Sequence, residues 1–262
     1  YRSTLPRVVI ACLLLFMNFP FFREVSKIFD AYVDSIHDHS SAATTLSDDC
    51  GSFAKTQKKF TFERSDAQEI LDLVGSTDNY TCPEGLVLVK DIIRPSFYNV
   101  SIPNNRKIPK VIHVTSKTRC MTDQFANNIL NRWGGLDDHS IFLHDDEAVD
   151  RLLSRKWKEF PHLQDGMKCL VSGAAKADLW RYVMIWEYGG IYTDIDNGPG
   201  PMFYNASANI SAIEEDTDAL FEQEYGKFPS QYFFAASPHH PVMYYSVQHT
   251  MARLFGLESV KD

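Results

Sequence analysis

Two acidic residues separated by a single position, Asp194 and Asp196, are the residues in this sequence best suited to chemistry. They end the run 191–196, which follows Gly189 and Gly190 and has the pattern of a short strand after a turn. Side chains alternate along a strand, so both carboxylates are expected on one face, with Cα atoms about 6.5–7 Å apart. Two converging carboxylates repel each other, and a hard divalent cation with oxygen ligands, Mn²⁺ or Mg²⁺, would relieve that repulsion.

The segment that follows, 197–201, is rich in glycine and proline and would let the backbone approach a ligand. A protein that offers a cation one or two carboxylates usually leaves the remaining positions to water and substrate phosphates. The motif therefore predicts a ligand that carries a diphosphate. The alternative is a pair of exposed carboxylates without a ligand. A second Asp-x-Asp, Asp216 and Asp218, lies in an acidic run and is interpreted as a solvated loop.

Asp178 and Arg181 lie on the preceding predicted helix, 171–188, and their spacing of three residues places them on one helix face. Their neighbours are mostly alanine, leucine, tryptophan and valine. A carboxylate and a guanidinium in such surroundings are costly to bury unless they pair or bind the hydroxyl and phosphate groups of a ligand. Both a ligand-binding pair and a simple intrahelical ion pair fit this pattern.

The elements that must position these residues alternate along the chain. Hydrophobic patterns predict strands and helices in βαβα order from Lys107 onward, followed by a long helix and the acidic strand. The predicted segments are strands 109–114, 140–143 and 191–196 and helices 125–133, 147–157 and 171–188. Such an order predicts an α/β fold with a mostly parallel sheet and helices on both faces, and ligands then bind outside the carboxyl ends of the strands.

Two stretches around these candidates, AAKADLWRY at 174–182 and EYGGIYTDID at 187–196, resemble the DXD-containing sugar-binding region of glycosyltransferase family 32. Two flanking stretches, IPKVIH at 108–113 and SPHHP at 237–241, are similar to the first strand of that family and to a segment near a later strand. The family includes fungal α-1,6-mannosyltransferases, inositol-phosphoceramide mannosyltransferases, and α-1,4-galactosyl- and α-1,4-N-acetylglucosaminyltransferases. The resemblance extends over roughly 107–254.

This resemblance implies a glycosyltransferase-A-like, Rossmann-like fold and a retaining, metal-dependent transfer of a hexose. The donor would be a nucleotide sugar, GDP-mannose or a UDP-sugar, the acceptor a glycan or glycolipid hydroxyl, and the cofactor Mn²⁺ or Mg²⁺. Asp194 and Asp196 would be the catalytic DXD pair and the metal site, with Asp196 the direct ligand and Asp194 near the ribose or the donor sugar. The remaining donor-binding residues would be His113, Thr115, Asp178, Arg181 and Tyr192. The family usually has Gln-Thr-Trp after the first-strand histidine, where this chain has Val-Thr-Ser at 114–116.

Two other functions are consistent with the same residues. One is a non-catalytic protein of this fold that binds nucleotide sugars or acts as a scaffold. The other is a haloacid-dehalogenase-like phosphatase, in which the first Asp of Asp-x-Asp is a nucleophile. Gly198 argues against the phosphatase, because such enzymes have Thr or Val at that place.

The amino-terminal part predicts a membrane attachment. Residues 8–22 carry no charge and follow Arg2 and Arg7, and no small-residue cleavage pattern comes directly after them. We therefore expect a cytosolic end and an uncleaved signal anchor at 1–23, although a buried core helix is the alternative. A lumenal stem with a short helix is expected at 24–106. The catalytic domain is expected at 107–262, truncated at its carboxyl end because this length is short for such a domain.

The cysteines and the glycosylation sites indicate the secretory lumen. Four Asn-x-Ser/Thr sites occur, at Asn79, Asn99, Asn205 and Asn209. Four cysteines lie outside the apolar segment, which allows three pairings and up to two disulfides, with free buried thiols as the alternative; they are Cys50, Cys82, Cys120 and Cys169. A single-pass type II protein of the Golgi or endoplasmic reticulum membrane is expected.

The composition excludes other classes of protein. An apolar fraction of 44% is sufficient for a buried core. The net charge of −8 disfavours non-specific binding to nucleic acid or to an anionic bilayer surface, so no nucleic-acid partner is expected.

Overall fold

The computed structural model describes residues 62, 64–78, 80–98, 107–136, 138–199, 213, 217–224 and 228–256. The chain divides into two compact units. The larger unit, Thr56–Phe221 with Gln231–Asp262, contains every side chain discussed below. The smaller unit, Tyr1–Lys55 with Glu222–Ser230, is described only at 222–224 and 228–230. The predicted anchor at 1–23 and the four glycosylation acceptors lie outside the described residues.

The described part of the chain alternates between strands and helices, as its sequence predicts. In chain order the elements are α1 Arg64–Val74, β1 Val87–Leu88, α2 Pro95–Tyr98, β2 Val111–Thr115, β3 Cys120–Met121, α3 Asp123–Asn127, a π-helical segment Asn128–Trp133, β4 Ser140–His144, α4 Asp146–Leu153, α5 Leu163–Cys169, α6 Gly173–Tyr188, β5 Gly190–Thr193, β6 Ala219–Glu224, β7 Phe228–Ala236 and α7 Pro241–Leu254.

The main sheet has five strands in the order β4-β2-β5-β7-β6. Strand β2 pairs in parallel with both β4 and β5, whereas β5 pairs antiparallel with β7. The predicted mostly parallel sheet is confirmed. The antiparallel strands β6 and β7 did not follow from the sequence, which suggested only a solvated loop around Asp218.

Three of the predicted elements differ from the structure in extent or type. The predicted helix 147–157 ends earlier, at Leu153, as α4. Strand β5 ends at Thr193, so Asp194 and Asp196 follow the strand instead of ending it. The predicted helix 125–133 is a short α-helix that continues as the π-helical segment.

Strand residues alternate between two covered faces, which confirms helices on both sides of the sheet. On one face the buried side chains of β2, β4 and β5 form a single cluster with the π-helical segment, where Trp133 stacks on Phe233 with ring centroids 6.2 Å apart. On the other face α6 packs its aromatic residues on the sheet, with Tyr182 stacked on Phe234 at 5.8 Å. Each fully buried side chain of this size contributes about 2 kcal/mol relative to an exposed one.

The helix α6 and the strand β5 are joined by two glycines that the backbone requires. Gly189 ends α6 with φ of 65° and donates its N–H to Ile185 O at 2.9 Å. Gly190 has φ of 101°, and a Cβ at that position would lie 2.6 Å from Val111 O. No other residue tolerates both the dihedral and this close approach of β5 to β2. The acidic turn, residues 194–197 directly after β5, therefore lies next to the end of β2.

The described residues before the predicted domain boundary at 106 belong to the larger unit, which also contains most of the main sheet. The disulfide Cys82–Cys120 joins the loop before β1 to β3, and β1 pairs antiparallel with β3. One of the two expected disulfides is therefore present; Cys169 is a free, exposed thiol, and Cys50 lies outside the described residues. Within the described ranges, no helix has the length and apolar character needed to cross a bilayer.

Candidate active site

The two candidate carboxylates lie in a tight turn directly after β5. Asp194 N donates to Tyr232 O at 2.9 Å, which extends the β5–β7 ladder by one bond. Asn197 N then donates back to Asp194 O at 3.2 Å, and Asn197 Nδ2 donates to Tyr232 O at 3.2 Å. The directions of the two carboxylates are thus set by this turn and not by the alternation of a strand.

The two carboxylates of the turn have different surroundings. Asp194 is partly buried; its Oδ1 accepts the hydroxyl hydrogen of Tyr192 and lies 3.7 Å from Arg181 Nη1. Burial raises the pKa of Asp194, while Arg181 and the hydrogen bond from Tyr192 oppose that rise. Asp196 is exposed, and among the described residues its carboxylate has no ion pair or hydrogen bond. Asp196 is therefore the carboxylate available to a ligand.

Arg181 connects the candidates on α6 to those after β5. Its Nη2 is 2.6 Å from Asp178 Oδ1, and its Nη1 donates to Gln231 O at 2.6 Å. Its guanidinium carbon lies 4.6 Å from the centroid of the Tyr192 ring. Burial raises the pKa of Asp178, and the charge of Arg181 opposes that rise. The predicted intrahelical ion pair is present, and it belongs to a larger network that includes Asp194.

Four of the predicted site residues are therefore brought together, and Asp196 is adjacent to them through the turn. The four are Asp178, Arg181, Tyr192 and Asp194. Thr115 ends β2, the strand next to β5, and is partly exposed; its Oγ1 donates to His144 O at 3.0 Å. It lies at the same edge of the sheet as the acidic turn.

His113 is placed elsewhere, in the interior of the sheet. Its side chain is 0% exposed, and its Nδ1 is 3.1 Å from Nε2 of the equally buried His144. Burial lowers the pKa of His113 to about 3 and lowers that of His144 well below its usual value, so both rings are neutral. The structure gives His113 an internal partner and no opening to a ligand; its contact with a donor base stays a prediction.

Two residues that the sequence did not single out hold the acidic turn from its other side. Asn128 Nδ2 donates to the carbonyl oxygens of Ile195 and Asp196, at 3.3 and 3.2 Å. Trp133 Nε1 donates to Asn197 O at 2.9 Å. Their partners are backbone atoms more than 60 positions away in sequence, so no local pattern could have identified them.

A third such residue, Arg132, lies against the glycine after the turn. Its Nη1 donates to Asn128 Oδ1 at 3.1 Å. A Cβ at Gly198 would lie 2.1 Å from Arg132 Cζ, so a larger residue at 198 would require the arginine side chain to move. The glycine that suggested a close backbone approach to a ligand is in close contact with an arginine side chain.

The acidic turn fits a divalent cation that is held jointly with a ligand. In the part of the chain that the structure describes, no group of three or more histidine, cysteine or carboxylate side chains could enclose a metal ion. Mg²⁺ is commonly bound by one or two protein carboxylates, with phosphate oxygens and water as its remaining ligands. Asp196 meets this requirement, because its carboxylate is exposed and its oxygens are hard ligands.

Comparison with known proteins identifies the region that contains this turn. Residues 110–226 match the family model described as "Glycosyltransferase sugar-binding region containing DXD motif". No solved structure is significantly similar to the chain.

Several curated fungal proteins are similar to parts of the chain. A mannosyl phosphorylinositol ceramide synthase of Saccharomyces cerevisiae is 32% identical over 91 residues, which are 35% of this chain and 23% of that protein. An inositol phosphoceramide mannosyltransferase of Schizosaccharomyces pombe is 32% identical over 108 residues, 38% of this chain and 28% of that protein. An initiation-specific alpha-1,6-mannosyltransferase of the same yeast is 26% identical over 189 residues, 65% of this chain and 46% of that protein. The matched segments span less than half of each relative.

Proposed function

Because the chain is a glycosyltransferase family 32-like protein, we propose that it transfers a hexose from a nucleotide sugar to a hydroxyl group of a glycan or glycolipid. The transfer uses Mn²⁺ or Mg²⁺ and retains the anomeric configuration. The observation that carries this proposal is the acidic turn within the matched region, in which Asp194 is held by Tyr192 and Arg181 while Asp196 stays exposed.

The names of the relatives favour mannose as the sugar and GDP-mannose as the donor, with UDP-galactose and UDP-N-acetylglucosamine as the alternatives. Two relatives are named for inositol phosphoceramide products or substrates and one for an α-1,6-linked mannose. A glycolipid headgroup and a glycan are therefore the two acceptor classes to compare.

In the proposed reaction Asp196 would hold the cation jointly with the donor diphosphate. When bound, the cation neutralises the negative charge that develops on the departing nucleoside diphosphate. Asp178 and Asp194 offer acceptor oxygens and Arg181 offers donor N–H groups, a set suited to orienting the hydroxyl groups of a sugar ring. Tyr192 contributes by fixing the Asp194 carboxylate through its hydroxyl and by supporting the guanidinium of Arg181 with its ring.

We also propose a lumenal location, in the Golgi or the endoplasmic reticulum, with a type II anchor at 1–23. The disulfide Cys82–Cys120 supports this, because disulfides persist in oxidising compartments and are rare in the cytosol.

The test is a donor panel with product analysis. The full chain is incubated with Mn²⁺ and GDP-mannose, UDP-galactose or UDP-N-acetylglucosamine, with and without glycolipid and oligosaccharide acceptors. Without an acceptor we expect one donor to be hydrolysed slowly to free hexose and nucleoside diphosphate. With the right acceptor, nucleoside diphosphate should form faster while the hexose is bonded to the acceptor, and NMR of that product should show a retained anomeric configuration. EDTA should abolish both reactions. Release of inorganic phosphate from an added phosphomonoester, p-nitrophenyl phosphate, with all donors left intact would indicate the phosphatase. Binding of a donor without turnover would indicate the non-catalytic protein.

A further inference from the structure

The π-helical segment Asn128–Trp133 binds three consecutive carbonyl groups of the acidic turn. Asn128 donates to the carbonyls of Ile195 and Asp196, and Trp133 donates to that of Asn197, at 2.9 to 3.3 Å. Among the described residues no other group donates to these three oxygens. The turn is thereby fixed on one side by the β5–β7 ladder and on the other by this single segment.

Both donor side chains are themselves held in place. Asn128 is 6% exposed and Trp133 1% exposed, so their hydrogen bonds lie away from solvent. Arg132 Nη1 donates to Asn128 Oδ1, which leaves the Asn128 amide nitrogen to face the turn. Trp133 is stacked on Phe233 in the core. Neither donor can rotate away from the turn without losing these interactions.

The π-helical geometry explains why both donors reach the same turn. Asn128 and Trp133 are five positions apart, and at 100° per residue an α-helix would direct them about 140° apart. A π-helix forms i→i+5 hydrogen bonds, so residues five apart lie on the same face. The unusual helix type is therefore what allows one segment to hold three successive carbonyls. π-Helical turns of this kind are rare and occur often at functional sites.

We propose that Asn128 and Trp133 are positioning residues for the cation and diphosphate site at Asp196. The inference rests on the proposed function. The carboxylate of Asp196 is exposed and its direction depends on the backbone of the turn, which Asn128 holds at the carbonyl of Asp196 itself. Removing the hydrogen bonds that orient a metal ligand typically changes metal affinity by about tenfold to a hundredfold.

Two variants of the full chain test this role. Asn128→Asp keeps the side-chain shape and the acceptor for Arg132 but presents an oxygen to the carbonyls of Ile195 and Asp196. Trp133→Phe keeps an aromatic ring against Phe233 but removes the N–H donor together with part of the buried indole ring. Asn131→Asp is the matched control, because Asn131 lies on the same segment and donates only to the exposed side chain of Asn127 among the described residues.

The readouts are Mn²⁺ affinity in the presence of GDP or UDP, from the EPR signal of free Mn²⁺, and amide hydrogen exchange of 194–198. We expect about tenfold weaker Mn²⁺ binding for Asn128→Asp and a smaller loss for Trp133→Phe. Exchange should become faster only in 194–198, and Asn131→Asp should behave as the wild type.

The possible outcomes separate the two proposals. If the wild type binds Mn²⁺ with a nucleoside diphosphate and both variants bind it equally well, the positioning role is overturned and the proposed function stands. Faster exchange throughout the domain would also overturn the positioning role, because it would indicate a structural role only. If the wild type takes up no Mn²⁺ with either diphosphate, the proposed function fails and this inference fails with it.

Discussion

Asp194 and Asp196 are the same residue type two positions apart, yet their environments assign them different tasks. Asp194 is engaged by Tyr192 and Arg181, which makes it part of a fixed charged network. Asp196 is exposed and available as a hard oxygen ligand. Within the described residues, Arg181 is the one cation of this network, and it lies between the carboxylates of Asp178 and Asp194.

The substitution Arg181→Met tests that balance. It leaves two partly buried carboxylates without their cation, and we expect the free energy of unfolding at pH 7 to fall by about 3 kcal/mol. Burial already raises the pKa of Asp178 against the opposing charge of Arg181, so removing Arg181 raises that pKa further. The folded variant then binds more protons than the unfolded one, and lower pH favours folding. Urea unfolding should show a smaller loss at pH 5 than at pH 7.

Lys168→Met is the matched control for that experiment. Lys168 pairs with Asp165 at the same i, i+3 spacing, but both side chains are exposed. Exposed pairs of this kind contribute little to stability, so Lys168→Met should unfold as the wild type does. An equal effect of the two substitutions, or a loss for Arg181→Met that does not change with pH, would contradict the account of the buried network.

For single residues, the sequence predicts a contact where the spacing of two residues along one element determines how close their side chains lie. Asp178 and Arg181 meet because three residues make most of a helical turn. The contact between Tyr192 and Asp194 depends instead on the turn that follows β5 at Thr193. The pairing of His113 with His144 could not be predicted, because it depends on the register of β2 against β4.

At the scale of elements, the connection between α6 and β5 controls where the acidic turn lies. Alternation of strands and helices was predictable from hydrophobic patterns, but two details were not. Strand β5 ends at Thr193 because its pairing with the neighbouring strand β7 extends only from Gly190 to Thr193. The change from α-helix to π-helix at Asn128 depends on tertiary hydrogen bonds that no local propensity encodes.

The substitution Gly190→Ala should disrupt this connection. Gly190 has φ of 101°, and a Cβ there would lie 2.6 Å from Val111 O. We expect a loss of unfolding free energy of about 1–3 kcal/mol, together with weaker donor binding, because β5 must shift away from β2. Thermal unfolding and a nucleotide-sugar binding assay measure the two effects.

Gly173→Ala provides the comparison for Gly190→Ala. Gly173 begins α6, and a Cβ there has no atom within 4 Å. Alanine favours a helix over glycine, so this variant should be as stable as the wild type or slightly more stable. Equal destabilisation by both substitutions would show that the close approach at Gly190 is unimportant.

At the scale of the whole molecule, the larger unit includes elements on both sides of the predicted boundary at 106. It begins at Thr56, so α1 and β1 share it with the sheet. Arg151 on α4 donates to the carbonyl of Leu73 at the end of α1, at 2.7 Å, and the Cys82–Cys120 disulfide fastens the same region to β3. The sequence predicts a stem here because the alternation of strands and helices begins only at Lys107.

The disulfide should be important for the stability of this unit. Its cysteines are 38 positions apart, and closing a loop of this length stabilises a protein by about 3–4 kcal/mol in the chain-entropy model. We expect the double substitution of Cys82 and Cys120 by serine to lower the thermal midpoint substantially. Cys169→Ser should have no effect, because Cys169 is a free, exposed thiol. A double variant that melts with the wild type would indicate that the region does not depend on this link.

The most direct test of the central claim is the rate of hexose release from the preferred nucleotide sugar as a function of Mn²⁺ concentration, in the wild type and in Asp196→Asn. Asp150→Asn is the control, because Asp150 is also an exposed aspartate and pairs only with Lys176 among the described residues. We predict that Asp196→Asn lowers the Mn²⁺-dependent rate at least about a hundredfold with an unchanged thermal midpoint, and that Asp150→Asn matches the wild type. A rate and an Mn²⁺ dependence that Asp196→Asn leaves unchanged would contradict the account.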